Sequence, residues 1–309
     1  MSREIAVFVN PTAGRGRGLK AAAIASDVLR ARGLTPHQVS APGAAEGVER
    51  LRRKIRSGVA AVVAVGGDGT VAAALQALAG TRTPLGVVPV GSGNDFAREL
   101  GLPLGDPAAA ARVVAEGHTR DVDLGRVGER WFATILCSGF DSRVNERANR
   151  LRWARGRTRY NAAVLAELGG LRPVAYELEL DGRRMHMEAT LIAVGNGRSY
   201  GGGLRMCPGA DLSDGVFDVT VVEGCSRAEL LRVLPRVYGG GHLNHPKVTV
   251  HRAATVSLRA HRLSAWADGE RVGALPVTAD CVPGALRVTV PAPDSVAPRR
   301  AAGRDIEKR

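Results

Sequence analysis

Short apolar runs alternate with amphipathic segments through the first 120 residues of the chain. The apolar runs are rich in valine, which is typical of strands buried on both faces of a parallel sheet. The predicted strands are residues 5–9, 35–40, 59–65 and 85–89. Apolar residues recur at helical spacing between them, and the predicted helices are residues 19–31, 43–56 and 71–78. The alternation predicts an α/β domain with a doubly wound, mainly parallel sheet and helices on both faces.

The pattern changes near residue 121, where strands begin to follow one another. The predicted strands are residues 131–137, 174–181, 185–194, 216–222, 248–250, 255–258, 263–267, 277–281 and 286–290. The predicted helices are residues 142–149, 157–168 and 226–237. Asp181-Gly182, between two of these strands, is a hairpin signal, and so is Asp268-Gly269. This half of the chain therefore predicts a mostly antiparallel β-sandwich.

The two patterns divide the chain into two domains. Residues 1–125 form the predicted α/β domain, and residues 126–284 form the predicted β-sandwich. Residues 285–295 are a candidate for a segment that packs back onto the first domain. The Ala-, Pro- and Arg-rich residues 296–309 are predicted to be disordered.

Composition argues against several classes of protein. The formal net charge of +13 comes mostly from arginine, and aromatic residues do not interleave with it, so we expect no nucleic-acid platform. Solvated basic faces or attraction to an anionic membrane surface are the alternatives. No apolar run approaches the roughly 18–20 residues of a membrane span. Residues 1–4 lack a basic region followed by an apolar one, so we expect no secretory signal. The four cysteines are widely spaced, which indicates free thiols and a cytoplasmic protein.

Three glycine-rich loops follow predicted strands and lead into helices. They are residues 10–18, 66–70 and 91–98. In an open α/β sheet, loops at the carboxyl ends of strands converge on the crevice where ligands bind. Glycine lets backbone N–H groups approach an anion closely, and the following helix directs its positive end to the same place. The spacing matches neither a P-loop nor the dinucleotide fingerprint, so each loop taken alone is also compatible with a simple turn.

Acidic residues lie at several of these turns. Asp68 stands in the middle of the loop Gly66-Gly67-Asp68-Gly69-Thr70, where an acid is favourable only if a divalent cation accompanies the anion. A nucleoside triphosphate with Mg²⁺ meets that condition. The candidate acids for phosphoryl transfer are Asp68, Asp123, Asp268 and Glu270. Asp211 and Asp214 beside Gly215 fit either a small cation site or a β-turn.

Five motifs then occur in one order and resemble a known family. The motifs are Asn10-Pro11-x-Ala13-Gly14, Gly66-Gly67-Asp68-Gly69-Thr70, Gly91-Ser92-Gly93-Asn94-Asp95-Phe96-Ala97-Arg98, the segment 201–218, and Asp268-Gly269-Glu270. Together they resemble the soluble diacylglycerol kinase family, which also holds sphingosine and ceramide kinases and bacterial lipid kinases. The resemblance extends from about residue 3 to about residue 290.

The resemblance implies a nucleotide-binding domain of the NAD-kinase/phosphofructokinase type, a C-terminal β-sandwich, and an active site between them. The residues it implies for ATP binding are Asn10, Pro11, Thr12, Ala13, Gly14, Gly66, Gly67, Asp68, Gly69, Thr70, Ser92 and Asn94. Those it implies for substrate binding are Gly93, Asn94, Asp95 and Arg98. It implies an Asp–water–Mg²⁺ network of Asp68, Asp123 and Asp268 with Glu270 as general base, and a structural Mg²⁺ at Asp211, Asp214 and the Val216 carbonyl.

The expected activity is transfer of the ATP γ-phosphoryl group to a lipid hydroxyl, with diacylglycerol converted to phosphatidic acid as the first choice. Two alternatives stay open at this stage: a small-molecule kinase of the NAD kinase type, and a non-catalytic protein of the same fold that senses nucleotide or lipid. The lipid substrate implies peripheral binding at the inner face of the membrane through basic surface. A homodimer through an edge strand also stays open.

Overall fold

The computed structural model describes residues 3–10, 17–41, 43–150 and 156–293. The first half contains β1 (Glu4–Val9), α1 (Arg17–Ala31), β2 (Thr35–Val39), α2 (Ala44–Arg56), β3 (Ala61–Gly66), α3 (Asp68–Leu78), β4 (Leu85–Pro89), α4 (Asp95–Glu99), α5 (Pro107–Glu116) and β5 (Thr119–Val127). The second half contains β6 (Arg130–Phe132), β7 (Ile135–Gly139), α6 (Phe140–Arg150), α7 (Gly156–Glu167), β8 (Val174–Leu180), β9 (Arg183–Gly195), β10 (Phe217–Glu223), α8 (Arg227–Val237), β11 (Val248–Ala253), β12 (Thr255–Ala260), β13 (Ser264–Ala267), β14 (Glu270–Ala274) and β15 (Val277–Thr289).

The first half is a doubly wound α/β layer structure. Strands β2, β1, β3 and β4 are neighbours in that order and run parallel. Along β1, Ile5 and Val7 belong to the core shared with α1 and α5, whereas Ala6 and Phe8 belong to the core shared with α2 and α3. Successive side chains of a strand point to opposite faces, so an unbroken apolar run is what a sheet covered on both sides requires.

The second half is mostly antiparallel, as predicted. Strands β13, β7, β9, β8 and β12 are successive neighbours, and β10 pairs with β9 and β11. Helices α6, α7 and α8 supply one apolar cluster beside this sheet, and the strands supply another. The rings of Phe132 and Phe217 stack in the latter cluster with centroids 5.8 Å apart. These two architectures confirm the predicted fold class.

Strand β15 joins the two halves into one hydrogen-bonded sheet. Its first residues pair with β12, its later residues pair with β5, and Val288 pairs with Leu85 of β4. The sequence pattern predicted two separate strands here, which is wrong. The register shifts between Val282 and Leu286, so the apparent gap is an irregularity within one strand. The domain limits at residues 125 and 284 stay a prediction.

Two other strand predictions differ from the structure. The predicted strand 131–137 is two strands, β6 and β7, because the amides of Ala133 and Thr134 between them donate to the carboxylate of Asp268. Strands β5 and β14 were not predicted. Within the described ranges, no helix is long and apolar enough to cross a membrane. The predicted disordered tail, residues 296–309, lies outside the described residues.

Candidate active site

Two of the glycine-rich loops contact each other through their backbones. Strands β1, β3 and β4 run parallel as neighbours, so their carboxyl ends meet at one edge of the sheet. A Cβ atom on Gly91 would lie 2.6 Å from the Cα atom of Gly67. Because no side chain fits at that distance, glycine is required for the loop after β4 to approach the loop after β3. The predicted convergence of these two loops is therefore present.

The carboxylate of Asp68 holds the second loop in place. Its Oδ2 accepts a hydrogen bond from the amide of Asn94 at 2.7 Å, and its Oδ1 accepts one from the amide of Asp95 at 2.7 Å. A Cβ atom on Gly93 would lie 2.4 Å from Asp68 Oδ2. Gly93 therefore leaves room for this carboxylate, which joins the start of α3 to the start of α4.

Asn94 shapes the same loop from within. Its φ of 57° is left-handed, and its side chain bonds both backbone groups of Gly91, at 3.0 Å to the amide and 2.9 Å to the carbonyl. An asparagine tolerates this backbone region better than most residues. Arg98 adds a bond from its guanidinium to the Gly93 carbonyl at 3.0 Å.

Asp95 connects the α/β half to the antiparallel half. Its buried carboxylate accepts a hydrogen bond from the amide of Gly202 at 2.7 Å and one from the hydroxyl of Ser199 at 3.4 Å. Both partners belong to the segment 199–203, whose glycines 201–203 begin the fourth of the five motifs. The charge of Asp95 acts on Asp68, so the two carboxylates belong to one acidic cluster. The substrate-binding role that the resemblance implies for Asp95 stays a prediction.

Asp268 reaches the same cluster from the turn between β13 and β14. Asp268 and Gly269 have φ values of 49° and 81°, which is typical of the predicted two-residue hairpin. The carboxylate of Asp268 accepts hydrogen bonds from the backbone amides of Ala133, at 2.7 Å, and Thr134, at 2.9 Å. It accepts a third from the hydroxyl of Thr134 at 2.5 Å. Glu270 follows the turn as the first residue of β14, and its side chain is exposed.

The electrostatics of the cluster favour a cation. Burial raises the pKa of Asp68 to about 6, and the charge of Asp95 and, more weakly, that of Asp268 add to the effect. Burial also raises the pKa of Asp95 and of Asp268. Each Asp68 oxygen that accepts an amide retains a second acceptor site. Hard oxygen donors of this kind fit Mg²⁺, and such ions usually keep several waters. Among the described residues no three acidic, His or Cys side chains are grouped closely enough to hold a metal ion directly. The Mg²⁺ site stays a prediction.

Asp123 accepts hydrogen bonds from the backbone amides of two distant segments. Its Oδ2 accepts the amide of Gly215 and its Oδ1 accepts the amide of Gly284, both at 2.8 Å. The carbonyl of the same residue accepts the side-chain amide of Asn196 at 2.9 Å. Asp123 therefore ties β5 to the segment 211–216 and to β15, and its membership of a network with Asp68 stays a prediction.

The predicted structural metal segment, residues 211–216, has internal partners. Asp211 accepts the amide and hydroxyl of Ser213 at 3.0 and 2.7 Å, and Asp214 pairs with the guanidinium of Arg252. Arg252 also lies 3.4 Å from Asp218. Two exposed carboxylates and a backbone carbonyl suit a hard cation, but Arg252 competes for Asp214. The structural Mg²⁺ stays a prediction.

The other predicted ATP contacts are only partly described. Asn10 lies exposed directly after β1, whereas Pro11, Thr12, Ala13 and Gly14 lie outside the described residues. Thr70 is buried in α3 and lies next to Gly66. A Cβ atom added to Gly66 would lie 2.0 Å from the hydroxyl oxygen of Thr70. Ser92 is exposed and lies between Gly91 and Gly93 in the loop after β4.

A mostly apolar cavity lies beside the cluster, between α6, α7, α8 and strands β9 and β10. Its walls include Phe140, Leu191, Leu204, Leu230 and Val237. The cavity is narrow, with a volume of about 40 Å³.

The segment 199–203 links this cavity to the acids. The hydroxyl of Tyr200 in the cavity wall bonds Asp141, while the neighbouring Ser199 and Gly202 hold Asp95. Sequence reasoning missed the cavity because its walls come from segments between residues 140 and 248 whose apolar residues look like ordinary core. The glycines of residues 201–203 were the one available signal.

The chain matches two family models that together span most of its length. Residues 4–127 match the Diacylglycerol kinase catalytic domain, and residues 134–290 match the YegS C-terminal NAD kinase beta sandwich-like domain. A curated Mycobacterium tuberculosis protein named Diacylglycerol kinase is 44% identical over 294 residues, covering 93% of this chain and 95% of that protein.

Solved structures agree with these matches at the level of the fold. A diacylglycerol kinase from Bacillus anthracis superposes with a TM-score of 0.74 at 21% identity, covering 95% of this chain and 98% of that one. An NAD kinase from Archaeoglobus fulgidus in complex with ATP reaches a TM-score of 0.51 at 13% identity, covering 93% and 92%. The second likeness is distant and concerns the fold alone.

Proposed function

Since the chain belongs to the diacylglycerol kinase family, it is an ATP-dependent lipid kinase, and we propose that its acceptor is the free hydroxyl of a diacylglycerol. The relatives named for that lipid support the choice of substrate. The observation that carries the proposal is the apolar cavity, which is linked to the acidic cluster through the segment 199–203. An acyl chain in the cavity would bring its glycerol end toward Asp95 and Asp68.

The glycine-rich loops suit the phosphates of ATP. Backbone amides near Gly67 and the start of α3 lie at a helix N-terminus, where negative charge is stabilised. We propose that Asp68, Asp123 and Asp268, with Asp95 beside Asp68, hold Mg²⁺ through water. When bound, Mg²⁺ would neutralise the charge on the transferring phosphoryl group. We propose that Glu270 accepts the proton of the lipid hydroxyl, because its exposed carboxylate follows the hairpin that presents Asp268.

We also propose that the enzyme binds peripherally to the membrane surface. Helix α8 forms one wall of the cavity and presents exposed Leu231 beside Arg227, Arg232 and Arg236. Apolar and cationic side chains on one helix are what an anionic lipid surface attracts. We place the enzyme at the inner face of the membrane. Binding to anionic vesicles should weaken with salt, and salt-independent binding would contradict an electrostatic contribution.

A homodimer through an uncovered edge strand, such as β14, is the remaining partner proposal. Strand β14 pairs only with β13, so its outer backbone groups have no strand partner among the described residues. Sedimentation at several protein concentrations tests it, and a concentration-independent monomer would reject it.

The test of the function is transfer of labelled phosphate from ATP to a panel of acceptors in mixed micelles. We expect product with diacylglycerol, and its mobility should be that of phosphatidic acid. Other lipids with a primary hydroxyl, and NAD as a soluble acceptor, complete the panel. Product from another lipid alone would replace diacylglycerol as the substrate, and product from NAD alone would overturn the lipid proposal.

A further inference from the structure

Asn196 is a fully buried asparagine whose side chain bonds two distant segments of the chain. It follows directly after β9 and is 0% exposed. Its Nδ2 donates one hydrogen bond to the carbonyl of Asp123 at 2.9 Å and another to the carbonyl of Ala133 at 2.8 Å. Both protons of the side-chain amide are therefore used within the protein. The five motifs that resemble the family do not include this residue.

The peptide group between Ala133 and Thr134 is held at both ends. Its carbonyl accepts the bond from Asn196, and its N–H donates to the carboxylate of Asp268 at 2.9 Å. The peptide is trans and planar, so its C=O and N–H point in opposite directions. Because the direction of the carbonyl fixes that of the N–H, Asn196 sets the direction from which Thr134 holds the Asp268 carboxylate.

The backbone at the end of β9 holds the same segment a second time. The amides of Asn196 and Gly197 both donate to the carbonyl of Thr134, at 2.8 and 2.9 Å. These main-chain bonds do not depend on the side chain of Asn196. A substitution at this position is therefore expected to change the orientation of the 133–134 peptide without detaching the segment from β9.

The β13–β14 hairpin is attached to this peptide through Asp268. The carboxylate of Asp268 accepts the bonds of the 133–134 segment, and its backbone amide donates to the carbonyl of Ile135 at 3.3 Å. Glu270 begins β14 directly after the turn. A rotation of the 133–134 peptide would therefore displace Asp268 and, with the hairpin, Glu270.

We propose that Asn196 is a positioning residue for phosphoryl transfer. It fixes the 133–134 peptide, which holds Asp268 and, through the hairpin, places Glu270. The inference rests on the proposed function, in which Glu270 accepts the proton of the lipid hydroxyl. Because Asn196 is fully buried, it acts on the reaction through these neighbours. Its bonds do not reach the loops assigned to ATP, so the loss on substitution should lie in kcat rather than in the KM for ATP.

The experiment compares Asn196→Ser, which is smaller and retains one donor, with Asn196→Leu, which retains none. At saturating Mg²⁺ we expect kcat to fall roughly tenfold in Asn196→Ser and roughly 10²-fold in Asn196→Leu, because small displacements of reacting groups are costly. The KM for ATP should stay close to that of the wild type. Thermal unfolding measures the folded fraction, and Asn196→Ser carries the test if Asn196→Leu does not fold. Wild-type kcat in the folded variants, or a loss that lies in KM alone, would overturn the inference.

Thr190→Val is the matched control. Thr190 lies in the same strand and is also 0% exposed, and its hydroxyl bonds the carbonyl of Glu223 at 3.0 Å and the amide of Cys225 at 3.2 Å. Removing the hydroxyl leaves buried backbone groups without a partner, so the melting temperature should fall. We expect kcat within about twofold of the wild type, because the 133–134 peptide is untouched. An equal loss of kcat in Thr190→Val would mean that Asn196 acts through general stability, which overturns the positioning role.

Hydrogen exchange separates this inference from the proposed function. Without ATP or lipid, peptides that contain the amides of Ala133 and Thr134 are followed by mass spectrometry in the wild type, Asn196→Ser and Thr190→Val. These amides should exchange roughly tenfold faster in Asn196→Ser, because their bonds to Asp268 open more often. Faster exchange in Asn196→Ser alone supports the positioning role even if no lipid is phosphorylated. Faster exchange in both variants, or in neither, contradicts it, whatever the kinase assay shows.

Discussion

Two acidic regions of this molecule have similar composition and opposite electrostatics. In the cluster around Asp68, the neighbouring charges that act on it are carboxylates, and its pKa rises to about 6. In the segment 211–218, Arg252 reaches both Asp214 and Asp218. In the first region the charge of Arg98 acts on Asp95, but the charges that act on Asp68 are carboxylates, which a cation from solution would stabilise. The second region contains its own cation at Asp214. Carboxylates therefore indicate a metal site only when the surrounding charges are known.

The largest effect on activity is expected at Glu270, which follows Asp268 of the cluster around Asp68. Glu270→Gln should lower kcat roughly 10²–10⁴-fold, because the amide cannot accept the hydroxyl proton. The side chain is exposed, so the melting temperature and ATP affinity should stay the same. Phosphate transfer and calorimetry measure the three quantities. Glu129→Gln, at another exposed turn, is the control, and full turnover in Glu270→Gln would remove this residue from the mechanism.

Neutralising one acid in each region tests whether the electrostatics of the two regions differ. Asp68→Asn should lower kcat/KM roughly 10²–10³-fold, because it removes a charge from the proposed Mg²⁺ site. Asp214→Asn should leave turnover within about twofold, since surface ion pairs contribute little. Activity is measured over a range of Mg²⁺ concentrations. Equal losses in both variants would show that the two regions do not differ as proposed.

The raised pKa of Asp68 predicts an acidic limb in the rate profile. Below about pH 6 the carboxyl becomes protonated and loses the charge that would hold a cation, so kcat/KM for ATP should fall at limiting Mg²⁺. The stability effect has a definite sign. The pKa of Asp68 in the folded protein lies above the ordinary value of 3.8. Its stabilising contribution to the free energy of unfolding is therefore present at low pH and is lost as pH rises through about 6. A flat profile down to about pH 5 would contradict the assignment.

A methyl group at Gly93 should disturb the cluster through packing alone. The added Cβ would lie 2.4 Å from Asp68 Oδ2, so Gly93→Ala should displace the carboxylate and destabilise the fold by about 1–3 kcal/mol. Denaturant unfolding measures the change. At Gly273 an added Cβ would contact nothing within 4 Å, which makes Gly273→Ala the control. Equal stability of the two variants would mean that the loop moves without cost.

The smallest effect is expected at Arg252. Arg252→Gln should lower the free energy of unfolding by about 0.5–1 kcal/mol, as is usual for exposed ion pairs. It should also make the melting temperature more sensitive to added Mg²⁺, because Asp214 and Asp218 lose their internal cation. Arg259→Gln, which removes an exposed pair with Glu177, is the control. A wild type already stabilised by Mg²⁺ as strongly as Arg252→Gln would show that Arg252 does not replace the ion.

Several parts of the fold and site followed from sequence because they depend on local chemistry. Valine runs predicted β1, β3 and β4, and Asp268-Gly269 predicted a hairpin whose two residues have positive φ. Pattern could not separate β6 from β7, since the break depends on amides that bond Asp268, more than 130 residues away. The same limit hid β14, an edge strand with exposed residues.

The sequence by itself determined the fold class and the identity of the acidic and glycine-rich loops, because periodicity and turn chemistry are local. The lipid kinase family followed from the resemblance of the five ordered motifs. The tertiary structure alone decided which groups each carboxylate contacts. It placed Asp95 with Asp68, turned Asp123 toward Gly215 and Gly284, and set Arg252 against Asp214. The energy of a buried charge depends on its neighbours in space, and those neighbours come from distant parts of the chain.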